Sequence, residues 1–158
     1  MGIGEWYKRL RHSRGFGVHS PFAYRMVREV LAAPRGCAYY AESALDRRDL
    51  RRLYRILVEL HPCEVIIYAP SEREKILRAV VLEALPRGGA GAPLVVIDGF
   101  DAEPSIPAGA SVLTDAPAAP ALERHVATTP FGHLYRNPRR ALFVALQHLP
   151  SQIFEVRF

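Results

Sequence analysis

Apolar positions recur along the chain with two periods, and the changes between them mark its elements. Phe22, Met26, Val27, Val30 and Leu31 are spaced as one face of a helix running from Pro21 to about Ala33. Ser20 before Pro21 is a strong helix start: the serine oxygen can accept from a first-turn N–H, and proline fits the first helical position. Upstream, Trp6, Tyr7 and Leu10 mark a shorter helix over Gly4 to His12, broken by the glycines of "SRGFGVHS". After a loop at Cys37 to Ala44, Asp46 is the expected N-cap of a third helix. Its positions Leu50, Leu53, Tyr54, Leu57 and Leu60 are apolar, with Arg48, Arg51, Arg52, Arg55 and Glu59 opposite.

The pattern then changes to short apolar runs. Glu64 to Tyr68 reads as a strand, Ser71 to Leu85 as a helix, and Leu94 to Asp98 and Ala110 to Asp115 as strands. A helix follows from Ala118 to about Val126. The last two runs, "RRALFVAL" and "QIFEVRF", joined by the turn-like "QHLPS", predict a closing antiparallel hairpin. Together these elements predict an α/β fold: a mostly parallel, Rossmann-like sheet with helices on both faces and an antiparallel C-terminal hairpin. Residues 1–60 are expected as a helical segment packed on the 61–158 core, in one domain.

Composition narrows the function classes. With 158 residues, 49% of them hydrophobic, the chain can build one real core. No apolar run approaches the roughly 18 residues that span a bilayer, and "MGIGEWYKRLRHSRG" lacks the apolar stretch of a signal peptide. A cytoplasmic location with no membrane partner is the expectation. Cys37 and Cys63 have neither metal-ligand nor CxxC spacing, so reduced thiols are expected. The net charge of +5 resides in residues 1–60, which hold 12 Lys/Arg against 6 Asp/Glu, while the remainder holds 9 against 10. The arginine row of 47–55 could meet nucleic acid phosphates; the plainer reading is a solvated helix face.

Candidate chemistry centres on the turn after the first strand. Strand, turn and helix over "EVIIYAPSEREK" form the unit on which α/β proteins bind nucleotides, through a glycine-rich turn at the helix N-terminus. Here the turn is Ala69-Pro70-Ser71-Glu72. Side chains would occupy the space where backbone must approach a ligand, and Pro70 removes a donor. The glycines of "PRGGAGAP" follow a helix and precede a strand, which suits a helix end and connector. Asp98 and Asp115 would end two strands at the edge where open α/β folds bind ligands. They could hold a divalent cation with Asp101 or Glu103, or merely cap loops. His125, His133 and His148 share no spacing and are expected as surface or turn residues.

"GFGVHSPFAYRMVREVL", "CAYYAE" and "LRRLYRILVELHPCEVIIYAP", with "LVVIDGFDAEP", "SVLTDAP" and "ALFVAL…QIFEVRF", resemble bacterial class I S-adenosylmethionine-dependent methyltransferases. The most specific element is the G-hydrophobic-HSPF signature carried by Gly17, His19, Ser20, Pro21 and Phe22. The resemblance implies that a cofactor, if any, lies near Tyr68, Ala69, Ser71, Glu72 and Asp98. Family members carry two further strand–helix units before the "DG" strand. Only about eight residues stand there in this chain, fewer than one crossover needs.

Two things the cofactor requires are therefore missing: the glycine turn, and the carboxylate that ends the second strand and binds the ribose. A methyltransferase-like, non-catalytic binding or assembly domain follows as the leading reading, without S-adenosylmethionine. The alternatives are an active enzyme with a rearranged site, and nucleic-acid binding through 47–55. With two units missing, the strand at Glu64 to Tyr68 becomes a sheet edge, which Tyr39, Tyr40 and the N-terminal helices, or a second copy in a homodimer, would cover.

Overall fold

A computed structural model describes residues 20–32 and 48–157. The helix expected over Gly4 to His12, Gly17 and His19, the loop with Cys37, Tyr39 and Tyr40, the Asp46 cap and Arg47 lie outside the described residues. The first described helix, α1 (Pro21–Arg25), starts as its sequence dictates: Ser20 Oγ accepts from the Ala23 N–H at 3.3 Å, with Pro21 in the first turn. It does not continue as an α-helix. Met26–Leu31 widens into a π-helical stretch that buries Met26, Val27, Val30 and Leu31 together.

Helix α2 (Arg48–Leu60) buries Leu50, Leu53, Ile56 and Leu57. Its arginine face is not the solvated row expected. Arg55 Nε donates to Val30 O at 2.8 Å and Arg52 Nε to Leu31 O at 3.4 Å, so both guanidinium groups serve carbonyls left open at the end of the π-helical stretch. Arg52 is only 5% exposed. Periodicity places a long side chain on a face, but it does not foresee a helix crossing above that face.

Six strands among the described residues form one sheet in the order β1-β2-β3-β5-β4-β6: β1 (Val65–Tyr68), β2 (Leu94–Ile97), β3 (Ser111–Thr114), β4 (Phe131–Asn137), β5 (Arg140–Pro150) and β6 (Gln152–Glu155). Helix α3 (Ser71–Ala84) links β1 to β2, and α4 (Pro120–Thr128) links β3 to β4. Strands β1, β2 and β3 are mutually parallel, β5 opposes both β3 and β4, and β4 and β6 are parallel. The chain is thus α/β with a mixed sheet.

One expectation fails here. β5 and β6 do not form a hairpin: β5 pairs back on β4, and β6 crosses to the far side of β4 with His133 opposite Gln152. The hairpin turn lies earlier, at Asn137, whose side-chain oxygen accepts from the N–H groups of Arg139 (2.8 Å) and Arg140 (3.0 Å). β4 escaped the sequence reading because Gly132 interrupts its period, and the register shifts there between Phe131 and Gly132.

Helices cover both faces. α1, α2 and α3 pack on Ile67, Leu94, Val96, Tyr135, Leu142 and Val144, while α4 contributes Leu122 against Val95, Ile97, Val112, Leu134 and Phe143. Buried on both sides, β2 reads as a continuous apolar run.

His133 belongs to this core and not to the surface, at 1% exposure. Its Nδ1 lies 3.1 Å from the Tyr135 hydroxyl, and its ring meets Phe154 edge-on at 5.3 Å and Phe22 at 6.2 Å. His125 is buried too, its Nε2 2.8 Å from Ala110 O. Burial lowers the pKa of His133. Folding then favours the neutral ring, and the unfolded chain binds the extra proton once pH falls below about 6.5. Stability present above that value is therefore lost as pH drops toward the folded-state pKa. Urea unfolding at pH 7.5 and 5.5 is expected to show a loss of stability at the lower pH that His133→Gln largely removes. An equal acid loss in the variant would place the titration elsewhere.

Candidate functional site at the carboxyl edge of the sheet

Parallel strands β2 and β3 end at Ile97 and Thr114, and the reversed β5 begins beside them at Arg140. The N-terminal turns of α2 and α3 lean over the same edge. Between them lies a narrow cleft of about 30 Å³, lined by Asp49, Arg52, Arg73, Asp98, Thr114, Asp115 and Arg140 above an apolar floor of Leu53, Leu77, Val96 and Leu113. Open α/β folds place ligands at this edge.

Arg73 fills the centre of the cleft. Its Nη2 lies 2.5 Å from Asp49 Oδ2 and 2.6 Å from Asp98 Oδ2, and its Nε donates to Asp98 Oδ2 at 2.7 Å. One guanidinium on α3 thereby ties the start of α2 to the end of β2. Burial works against its charge, but the hydrogen bonds and charges of Asp49 and Asp98 outweigh that, and the Arg73 pKa rises. Asp115 is engaged as well, its Oδ2 accepting from the Gly99 N–H at 2.9 Å. Among the described residues no three His, Cys, Asp or Glu side chains gather as metal ligands.

The residues singled out from the sequence are spread apart. Alternation along the strands sends Ile67 and Val96 into the core under α1, α2 and α3, so Asp98 falls on that face and Tyr68 on the other. Tyr68 meets the Phe100 ring at a tilt, 5.2 Å between centroids, and donates its hydroxyl to Ser105 O at 3.0 Å, which fixes the connection after β2. Ala69 is half-buried against the helical face of the core. Pro70 holds the N-cap position in an extended conformation without a side-chain cap, and Ser71 is exposed. Glu72 is exposed and pairs with Lys75 at 2.7 Å, an interaction of little energetic weight. Of the N-terminal signature, Ser20 caps α1, Pro21 is exposed, and Phe22 reaches the His133 ring.

The sequence reading missed Arg73, Asp49 and Arg140. Arg73 had a legible signal. A cation in the first turn of a helix opposes the helix dipole and calls for nearby carboxylates. Asp49, in the first turn of α2, is one of the two it finds. Arg52 carries a further mark of the site: burial first, then repulsion from Arg140, Arg48 and Arg55, pushes its pKa down to about 10. It remains cationic at neutral pH. Comparison with protein-family models, curated proteins and solved structures finds no match for this chain.

Proposed function

We propose that the chain is a methyltransferase-like α/β domain of Rossmann type whose cofactor crevice is closed by its own side chains, and that it acts in binding or assembly and not in methyl transfer. The observation that carries this reading is the Asp49–Arg73–Asp98 bridge at the carboxyl edge of the sheet. Asp98 directly follows β2, the strand that resembles the family's "DG" strand, and an ion pair from within the fold consumes it. The connection from α3 to β2 is too short for further strand–helix units, in keeping with a missing second strand. The turn at Ala69 to Glu72 offers an extended proline and two exposed side chains where a glycine loop would have to approach a cofactor.

Titration calorimetry with S-adenosylmethionine and S-adenosylhomocysteine is expected to give no saturable heat up to millimolar ligand. Micromolar affinity would overturn the reading in favour of an active enzyme with a rearranged site. The nucleic-acid reading loses support, because Arg52 and Arg55 hold backbone carbonyls of the π-helical stretch Met26–Leu31.

For assembly, the supporting feature is β1. It pairs only with β2 among the described residues, and its edge carries the uncharged run Val65 to Tyr68. Uncharged strand edges recruit further strands. Sedimentation over a broad concentration range is expected to show a dimer; a monomer at the highest concentration would remove the assembly half of the proposal.

A further inference from the structure

We propose that the assembly partner is a second copy of this chain, joined by antiparallel pairing of β1 with the partner's β1 about a two-fold axis at Ile66; this rests on the assembly half of the function proposed above. Hydrogen bonds fix which groups of β1 are occupied. Glu64 O accepts from the Leu94 N–H at 2.9 Å and Tyr68 O from the Asp98 N–H at 3.0 Å. A parallel ladder turns every second residue toward its neighbour. Glu64, Ile66 and Tyr68 therefore face β2, while the N–H and C=O groups of Val65 and Ile67 point away from it. Among the described residues no strand pairs with that side. The free row is bounded at both ends: the Cys63 N–H donates to Gly91 O at 2.9 Å, and Pro70 follows Ala69 without a donor.

Two outward residues with one between them are self-complementary. When Val65 lies opposite Ile67 of the partner subunit, symmetry repeats the pair, and each pair exchanges both of its hydrogen bonds. Ile66 then faces its own symmetry mate. Glu64, the charge nearest the run, lies opposite Tyr68 of the partner subunit and apart from the partner's Glu64, so no like charges meet. The helix above adds apolar area. In the right-handed crossover from β1 through α3 to β2, seating Leu77 and Val80 on the sheet puts Ile76 on the flank of α3 nearest the free edge, and Ile76 is 40% exposed. The opposite edge of the sheet is guarded. β6 carries Glu155, paired with Arg136 at 2.7 Å, and Arg157 follows it. A head-to-tail contact of β1 with β6, which would propagate without closing, is thereby disfavoured, and a closed pair is the outcome.

The test is cross-linking of the full chain in a Cys37→Ser, Cys63→Ser background. Directly opposed residues of a non-hydrogen-bonded antiparallel pair lie about 4.5 Å apart at Cα, within the roughly 4.4–6.8 Å that a disulfide spans. Ile66→Cys is therefore expected to form a covalent dimer under mild oxidation. Val65→Cys, whose symmetry mates stand on the diagonal about 7–8 Å apart, should do so roughly tenfold more slowly. Val65→Pro is the second variant. It removes an N–H that β2 does not use, so the fold should stand in urea, while the dimer seen in sedimentation weakens roughly tenfold or more. Absent or equal cross-linking of the two cysteine variants beside a sedimentation dimer would overturn this register and leave the assembly reading standing. An undiminished dimer in Val65→Pro would overturn it as well, and a monomer at the highest concentration would end both.

Discussion

Arg73→Ala is expected to destabilise the domain by about 4 kcal/mol, because it takes from Asp49 and Asp98 the guanidinium that bridges them in a partly buried cleft. The side chains concerned are 19%, 14% and 26% exposed, so water offsets little of this loss. Chemical denaturation measures it directly. The contrast that identifies the mechanism is the combined variant Arg73→Met, Asp49→Leu, Asp98→Leu, which removes all three charges and should recover most of the stability. If Arg73→Ala costs less than about 1 kcal/mol, the bridge is no stronger than an exposed ion pair.

The second large effect is expected in the connection after α3. A Cβ at Gly89 would lie 2.1 Å from Pro62 O and 2.3 Å from His61 O, backbone atoms that cannot rotate away. The same loop is tied to the end of α2, with Gly91 N–H donating to His61 O at 2.7 Å and Cys63 N–H to Gly91 O at 2.9 Å. Gly89→Ala must therefore shift this junction, at a cost of roughly 3 kcal/mol. Thermal unfolding checks it, with the exposed Ala90→Ser as a neutral control. The prediction also explains the composition of "PRGGAGAP". Gly89 and Gly91 permit close approach to the α2 terminus.

Elements whose signal is local were legible in the sequence. Ser20-Pro21 specifies a helix start through atoms within four residues. The apolar run Leu94 to Ile97 announces a strand covered on both faces, and α3 begins at Ser71 as its pattern implies. What escaped depends on partners distant in sequence. The π-helical stretch at Met26–Leu31 is served by arginines from α2, 21 and 25 residues away. β6 chose β4 over β5 as its neighbour, although apolar alternation suits either pairing. At the site, Asp98 was identified because strand-end carboxylates are conspicuous. Its role was not, because it depends on Arg73 and Asp49, which only the packing of α2 against α3 brings within reach.

Whether Arg73 holds Asp98 shut away from ligand in solution is read most directly by a double-mutant cycle on Arg73→Met and Asp98→Asn, each variant unfolded in urea at neutral pH. A coupling of roughly 1–3 kcal/mol, the range for charged groups in contact, is the expected result. Additivity of the two substitutions within about 0.3 kcal/mol would contradict it and leave Asp98 available to a ligand.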